Sequence, residues 1–202
     1  MTHHDQRDIQ HPIHETLRHR WSPRAFDPKR TVTPEQLRSL LEAARWAPSS
    51  YNEQPWAFLV ATRDDPEAFR TMLSCLMEKN QQWAKDAAVL MISVAHKTLT
   101  RTGAPNRHAF HDVGQAVANL THQATAMGLY VHQMAGFDVA KTTQTYHIPA
   151  DYEPVAGIAV GYLGDPNQLP EDVRAREGPI SARKPQRDFV FSGDWGRAAP
   201  FL

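Results

Sequence analysis

Residues 110–127 constrain the fold of this chain more than any other stretch. Phe110, Val113, Val117, Leu120, Ala124 and Met127 are spaced three, four, three, four and three apart, and Gly128 follows as a stop signal. The spacing predicts one long helix with a narrow apolar seam, beside which sit the small residues Gly114 and Ala118. Such a seam suits a central core helix and a dimer contact equally. Around it, Ala87 to Ala95 is apolar almost throughout and reads as a strand buried on both faces. Trp56–Ala61, Tyr130–Met134 and Val155–Tyr162 supply three further strands. Thr33-Pro34-Glu35-Gln36 opens another helix, with Thr33 as cap and Gln36 completing a capping box. Leu37, Leu40, Leu41 and Ala44 give that helix one apolar face, and Pro48 closes it. Asp65-Pro66 opens a further helix with Phe69, Leu73 and Leu76 inward, and residues 11–19 carry Ile13 and Leu17 four apart in a short first helix. Long helices around a few strands, without a regular βαβ repeat, point to an α+β domain.

The 202 residues suit one domain, and about 70% of the extended surface can be buried at this size. Charge is balanced, 22 Lys+Arg against 22 Asp+Glu, which argues against a nucleic-acid or membrane partner held by bulk charge. The single cysteine, Cys75, excludes an internal disulfide framework. The apolar run from Ala87 falls short of the roughly 20 residues that a membrane span requires. Thr2, His3, His4 and Asp5 are polar, so no secretory signal is visible and a cytoplasmic globule is expected. Many of the 15 prolines follow residue 148. Residues 1–163 therefore read as the core, and 164–202 as an extension of the same domain that wraps over a surface.

Several familiar chemistries are missing. Gly161-Tyr-Leu-Gly164 does not match GxGxxG, and neither a P-loop nor a nucleophile elbow occurs. The eleven histidines, among them His3, His4, His11, His14, His108 and His111, show no paired metal-ligand spacing, and Cys75 lies among Leu73, Leu76 and Met77 as a packing residue. Ser49-Ser50 has no His or Asp at an interpretable spacing. What remains is a set of anion and ring ligands. Arg18-His-Arg20-Trp21-Ser22-Pro-Arg24-Ala-Phe26 places arginines at alternate positions, which share one side of an extended chain. By itself this stretch fits an arginine-rich surface turn at least as well. Ala47-Pro48-Ser49-Ser50-Tyr51-Asn52-Glu53-Gln54-Pro55-Trp56 ends a helix in a turn rich in hydroxyls and amides that can hydrogen-bond a planar heterocycle.

These two segments resemble the N-terminal signature of the FMN-dependent nitroreductase family, Arg-x-Ser-x-Arg/Lys-x-Phe followed by Pro-Ser-Ser-x-Asn-x-Gln-Pro-Trp. Asp112 to Leu129 is similar to the family's long helix, Gly136-Phe137-Asp138 to its turn after the next strand, Val155–Gly164 to its last core strand, and Arg183-Lys184-Pro185 to its late basic motif. The resemblance implies a nitroreductase-like α+β fold, a mostly antiparallel central sheet surrounded by helices, with an extended C-terminal tail. It implies FMN as cofactor, NADH or NADPH as electron donor, and a small electron-poor acceptor such as a nitroaromatic or a quinone. It also implies a homodimer with FMN at the interface. The aromatic residues Phe189, Phe191, Trp195 and Phe201 in the Pro-rich tail need a surface to lie on, which the partner or the same subunit can supply.

Residue by residue, the resemblance implies that Arg20, Ser22 and Arg24 bind FMN, Arg20 at the phosphate and Arg24 at the N1–C2 carbonyl edge, with Trp21 contributing backbone. Pro48, Ser49, Ser50 and Asn52 would reach the flavin from the partner subunit, with Gln54 supporting their loop. Asn80 would meet the pyrimidine edge. Met134, Ala135 and Gly136 would pass the ring, the Ala135 N–H donating to N5. Arg183, with Lys184, would close on the phosphate. The chain departs from the family where relatives carry Glu at the Ala135 position, and where a second basic residue is common after the Asn. Gln82 and Trp83 stand in that region. A cation near N1–C2=O eases hydride acceptance at N5, so the expected chemistry is ping-pong and needs no acid–base pair. Residues 97–109, with Arg101, Gly103 and Pro105, are the candidate lid. A flavin-binding store or sensor on the same fold, a different flavin reduction such as reductive dehalogenation, and a metal-dependent hydrolase are the competing readings.

Overall fold

The structure, a computed structural model, describes residues 7–177 and 182–202, so His3 and His4 lie outside the described residues. The chain forms two units, a body from Ile13 to Glu177 and a second unit that contains residues 7–12 and 182–202.

In the body the elements follow in the order α1 (Glu15–His19), α2 (Pro34–Arg45), β1 (Trp56–Thr62), α3 (Pro66–Ser74), α4 (Glu78–Ala84), β2 (Val89–His96), α5 (Ala109–Ala126), β3 (Tyr130–Met134), α6 (Val139–Thr145), β4 (Tyr152–Gly161) and α7 (Glu171–Arg174). The helix starts follow their capping chemistry. Thr33 Oγ1 accepts from the Gln36 N–H at 3.2 Å while Gln36 Oε1 accepts from the Thr33 N–H at 3.0 Å. Asp65 and Asp138 cap α3 and α6 by accepting from the Ala68 and Lys141 N–H groups. Gly128, at φ +71°, ends the α5 region as its position suggests.

The four strands form one antiparallel sheet in the order β1-β2-β4-β3. β2 is central and buried along nearly its whole length, as its continuous apolar run requires. Met91, Ala95, Val131, Ile158 and Val160 pack under α2 and α5, and Leu90, Ile92, Val94, Met134 and Ala159 pack under Phe69, Met72, Trp83 and Phe137. A bulge between Ser93 and Val94 sets Pro154 opposite Val94, beyond the end of β3, where the missing proline N–H leaves no ladder bond to break. The seam of α5 is core: Val113, Val117, Leu120 and Ala124 are fully buried. Phe110, by contrast, is 45% exposed, and a Cβ on Gly114 would meet nothing within 4 Å. The α1 helix carries through Arg18 and His19, so Arg18 does not share an extended segment with Arg20 and Arg24; it lies 3.5 Å from Glu15 on the helix instead.

After β4 the chain stays on the body. The Gly164 N–H donates to Ala25 O and the Asp27 N–H to Tyr162 O, both at 2.9 Å, and Leu169 and Val173 bury into the cluster of Phe26 and Trp83. The second unit is a 3-10 turn (Gln186–Asp188) and an irregular hairpin closed by Phe191 and Ala198, with the Phe191 and Trp195 rings 5.0 Å apart. Phe189, Trp195 and Phe201 are exposed. Among the described residues no helix is long and apolar enough to cross a membrane.

Gly164 holds the close approach of residues 25–27 to the end of β4, because a Cβ there would lie 2.4 Å from the Phe26 carbonyl carbon and oxygen. Backbone cannot yield as a side-chain tip can, so Gly164→Ala is expected to destabilise the body by about 1–3 kcal/mol. A lowered urea midpoint with unchanged slope checks this.

Candidate functional site

Residues 20–27 form a strap with no helix or ladder of their own beyond the bridge from Phe26 to Leu163. The strap runs along β3, the edge strand. The Trp21 ring stands edge-on to Tyr130 at 6.2 Å, and Pro23 O accepts from His132 Nδ1 at 2.8 Å. From the other side the Glu177 carboxylate accepts from the Arg24 N–H through both oxygens, at 2.8 and 2.9 Å, and from the Ala25 N–H at 2.9 Å. Arg20 Nη1 donates to Ser22 Oγ at 2.9 Å, pre-forming a pair of anion ligands. Arg24 Nη1 donates to Arg176 O at 3.1 Å and stands 3.9 Å from Glu177 Oε2. Burial and the Arg176 charge hold the Arg24 pKa below its ordinary value, with Glu177 opposing them. A guanidinium has five N–H donors, so Arg24 keeps capacity for a planar acceptor.

The end of β3 meets α4. Asn80 Nδ2 donates to Gly136 O at 2.8 Å, and the Met77 N–H donates to the same oxygen at 2.9 Å. A Cβ on Gly136 would come within 2.4 Å of Asn80 Nδ2, so a larger residue there would push the Asn80 amide out of this bond. Ala135 is exposed, and its N–H donates to no group among the described residues. Arg20, Trp21, Ser22, Arg24, Asn80, Met134, Ala135 and Gly136 thus gather along one strand of one chain.

His132 carried no signal in the sequence. It faces the same side of β3 as Tyr130 and Met134, its ring 4.5 Å from that of Trp83 and tilted 40° to it. Burial, aided by Arg24 and Arg20 and opposed by its bond to Pro23 O, pushes its pKa down to about 4. Trp83, stacked on Phe26, is fully buried, and its Nε1–H has no partner among the described residues. Glu177 had no sequence signal either.

Pro48, Ser49, Ser50, Asn52 and Gln54 form a separate site. Tyr51, Asn52 and Gln54 all take left-handed backbone, at φ 53°, 56° and 49°. Ser49 Oγ accepts from the Gln54 N–H at 3.0 Å, Gln54 Nε2 donates to Asn52 O, and the buried Asp112 carboxylate accepts from the Ser50 N–H at 2.9 Å. Tyr51 is 88% exposed. This turn leads into β1, three strands away from β3, or about 14 Å across the sheet. Beside it, residues 97–106 form a hairpin closed by Thr98 and Pro105, and the Thr100 N–H donates to Glu53 Oε2 at 2.9 Å. Tyr51 and Asn52 face Leu99 and Arg101 across an open groove. Arg183 and Lys184 are exposed in the second unit. Among the described residues no three His, Cys, Asp or Glu side chains are placed to hold a metal ion.

The model of the nitroreductase family matches residues 17–162. A solved structure of an oxidoreductase containing FMN is 36% identical, with a TM-score of 0.89 over 96% of this chain and 98% of that one. Protein DrgA of Synechocystis is 31% identical over 73% of this chain and 82% of its own. The major NAD(P)H-flavin oxidoreductase of Aliivibrio fischeri is 44% identical over 27% of this chain and 25% of its own.

His132→Ala strands Pro23 O and is expected to cost about 1–3 kcal/mol, whereas His132→Asn, whose Nδ2 reproduces the Nδ1 donor, retains most of it. The depressed pKa also has a sign. Between about 4 and 6.5 the unfolded chain binds a proton that the folded chain refuses, so wild-type stability falls as pH drops through that window. Urea unfolding at pH 7 and pH 5 is expected to show a smaller loss for His132→Asn than for wild type.

Proposed function

From the premise that the chain belongs to the nitroreductase family, we propose that it is an FMN-dependent oxidoreductase that takes electrons from NADH or NADPH and delivers them to a small electron-poor acceptor such as a nitroaromatic or a quinone. The observation that carries this reading is the gathering of Arg20, Ser22, Arg24, Asn80 and the Ala135 N–H along β3. The solved relative that contains FMN and the relative named for NAD(P)H and flavin support the cofactor and the donor.

The residues fit FMN chemically. The Arg20–Ser22 pair supplies cationic and hydroxyl ligands for a phosphate, and Arg183 and Lys184 are proposed as further phosphate ligands. Arg24 has spare donors for the N1–C2=O edge, Asn80 an amide for the pyrimidine edge, and Ala135 an unengaged N–H for N5. When bound, FMN supplies the two-electron chemistry, accepting hydride from the donor and passing reducing equivalents to the acceptor in a ping-pong cycle. The chain's part is electrostatic. With FMN bound, Arg24 would stabilise negative charge at the N1–C2=O edge, and the Ala135 N–H would orient N5. No acid–base pair is needed on this account.

The distance between the strap and the 48–54 turn supports a homodimer in which Pro48, Ser49, Ser50 and Asn52, braced by Gln54, complete the site of the partner subunit. The exposed Phe189, Trp195 and Phe201 of the second unit are then the residues proposed to cover the partner. Tyr51, Arg101 and the hairpin beside them become the wall against which acceptors are selected.

Purified protein is expected to show flavin absorption that NADH or NADPH bleaches anaerobically; failure to take up FMN when it is added would refute the reading. Site sharing has its own test. Arg24→Ala and Asn52→Ala homodimers are each expected to lose roughly tenfold or more in turnover of a quinone. The mixed heterodimer has one site free of both changes and is expected to recover toward half of the wild-type rate. Absence of recovery in a verified heterodimer would place both residues in one chain's site.

A further inference from the structure

Glu177 is 4% exposed, and its charge is not required by the family chemistry described above. It follows α7 and brings a carboxylate back to the strap, 153 residues away in sequence from Arg24. Two adjacent backbone N–H groups, of Arg24 and Ala25, point at it, a concave donor pair of the kind that favours an anion. These bonds fix the backbone from which the Arg24 side chain springs. The same carboxylate stands 3.9 Å from Arg24 Nη1, while the neighbouring Arg176 contributes its carbonyl oxygen to that nitrogen. A neutral side chain could accept from the strap; only an anion also offsets the guanidinium.

We propose that Glu177 is a positioning residue for Arg24 whose buried charge tempers that cation and so sets the reduction potential of the bound flavin. The inference rests on the FMN reading above. A lone cation at N1–C2=O stabilises reduced flavin, raising the potential and making the flavin a weaker reductant. With an anion fixed 3.9 Å from the cation, the net field at the flavin is smaller. The flavin then keeps a potential low enough to reduce a nitroaromatic or quinone after NAD(P)H has reduced it. The clamp and the charge act together, since moving the carboxylate would release the strap as well as unmask the guanidinium.

The test compares holoprotein of wild type, Glu177→Gln and Glu177→Asp, with FMN binding followed by fluorescence quenching and the midpoint potential by anaerobic redox titration. Glu177→Gln keeps an acceptor oxygen and removes the charge. It is expected to favour the reduced over the oxidised cofactor by roughly tenfold, a positive shift of about 30 mV for a two-electron couple. Glu177→Asp keeps the charge but withdraws it from Arg24, so a smaller shift of the same sign is expected; it carries the test should the Gln variant fail to fold. In an Arg24→Ala background the shift from Glu177→Gln is expected to shrink, because the positioning of the guanidinium is lost and only the carboxylate's direct field at the flavin is left. Folded variants that bind FMN with the wild-type potential, or that weaken oxidised and reduced FMN equally, overturn the proposal and leave a structural clamp only. Wild-type protein that takes up no FMN overturns instead the reading on which it rests.

Discussion

A segment that lies on a sheet edge without joining its ladder must find partners for its peptide groups elsewhere, and this is the constraint on which the strap depends. Residues 23–25 find them in side chains: Pro23 O in His132, and the Arg24 and Ala25 N–H groups in Glu177. Each of these bonds is partly buried, where a stranded donor or acceptor costs about 1–3 kcal/mol. The strap is therefore specified as tightly as a strand would be, but with its side chains free of the alternation that a strand imposes. Arg20 and Ser22 can pair with each other while Arg24 turns toward Arg176. Ligand-facing groups sit on a rigid support with no ladder bonds to break when a ligand arrives.

The sheet decides what lies within reach of what. With both faces buried under helices, only its edges and ends remain for a site, and the order β1-β2-β4-β3 puts the strap and the 48–54 turn at opposite edges. β3 stops at Met134, level with Gly157, so the Ala135–Gly136 turn leaves the sheet partway along β4 and meets α4 there. Gly136 is what permits that meeting, since its missing side chain leaves room for the Asn80 amide. A shorter or longer β3 would carry the free Ala135 N–H away from the strap.

The legibility of the sequence follows from how local each determinant is. The α5 seam, the Thr33–Gln36 capping box and the buried β2 run are encoded within a few turns or residues, and their predicted positions match the elements observed. The helices α4 and α6 are seven residues each and bury only Trp83 with Ala84, and Thr142; two turns with so little apolar contact show no period. The α+β class is read from the lack of a regular βαβ repeat, and the mostly antiparallel sheet, which the structure has, comes from the resemblance. Within the site, the stretch with Arg20, Ser22 and Arg24 is visible in the chain as a set of candidate anion ligands, whereas their separate roles toward FMN, and Asn80 and Ala135 altogether, come from the resemblance. Alternation suggested that Arg18 joins them, but α1 extends through it. His132 and Glu177 lie 109 and 153 residues from their strap partners, and Asp112 lies 62 from Ser50. No local pattern could announce contacts that only the finished fold creates.

The 48–54 turn shows what the proposed division of the site between subunits would demand of each. Tyr51 and Gln54 hold left-handed backbone without being glycine, at about 1–3 kcal/mol each, and Asn52 adds a milder share. Glycine at these positions would relieve that strain, yet it would also enlarge the unfolded ensemble and leave the turn loose. Instead the strain is held by Ser49 Oγ on the Gln54 N–H, by Gln54 on Asn52 O and by the Asp112 carboxylate on the Ser50 N–H, which ties the turn to the first residues of α5. On the proposed reading, a loop that presents its amide and hydroxyl groups to a flavin carried by another chain would gain nothing from adapting on arrival, because ordering it then would subtract from the binding energy. The turn meets that requirement before the partner is present. Its strain is offset by the fold of its own subunit, and Tyr51 is left exposed at the point where the second chain is proposed to sit.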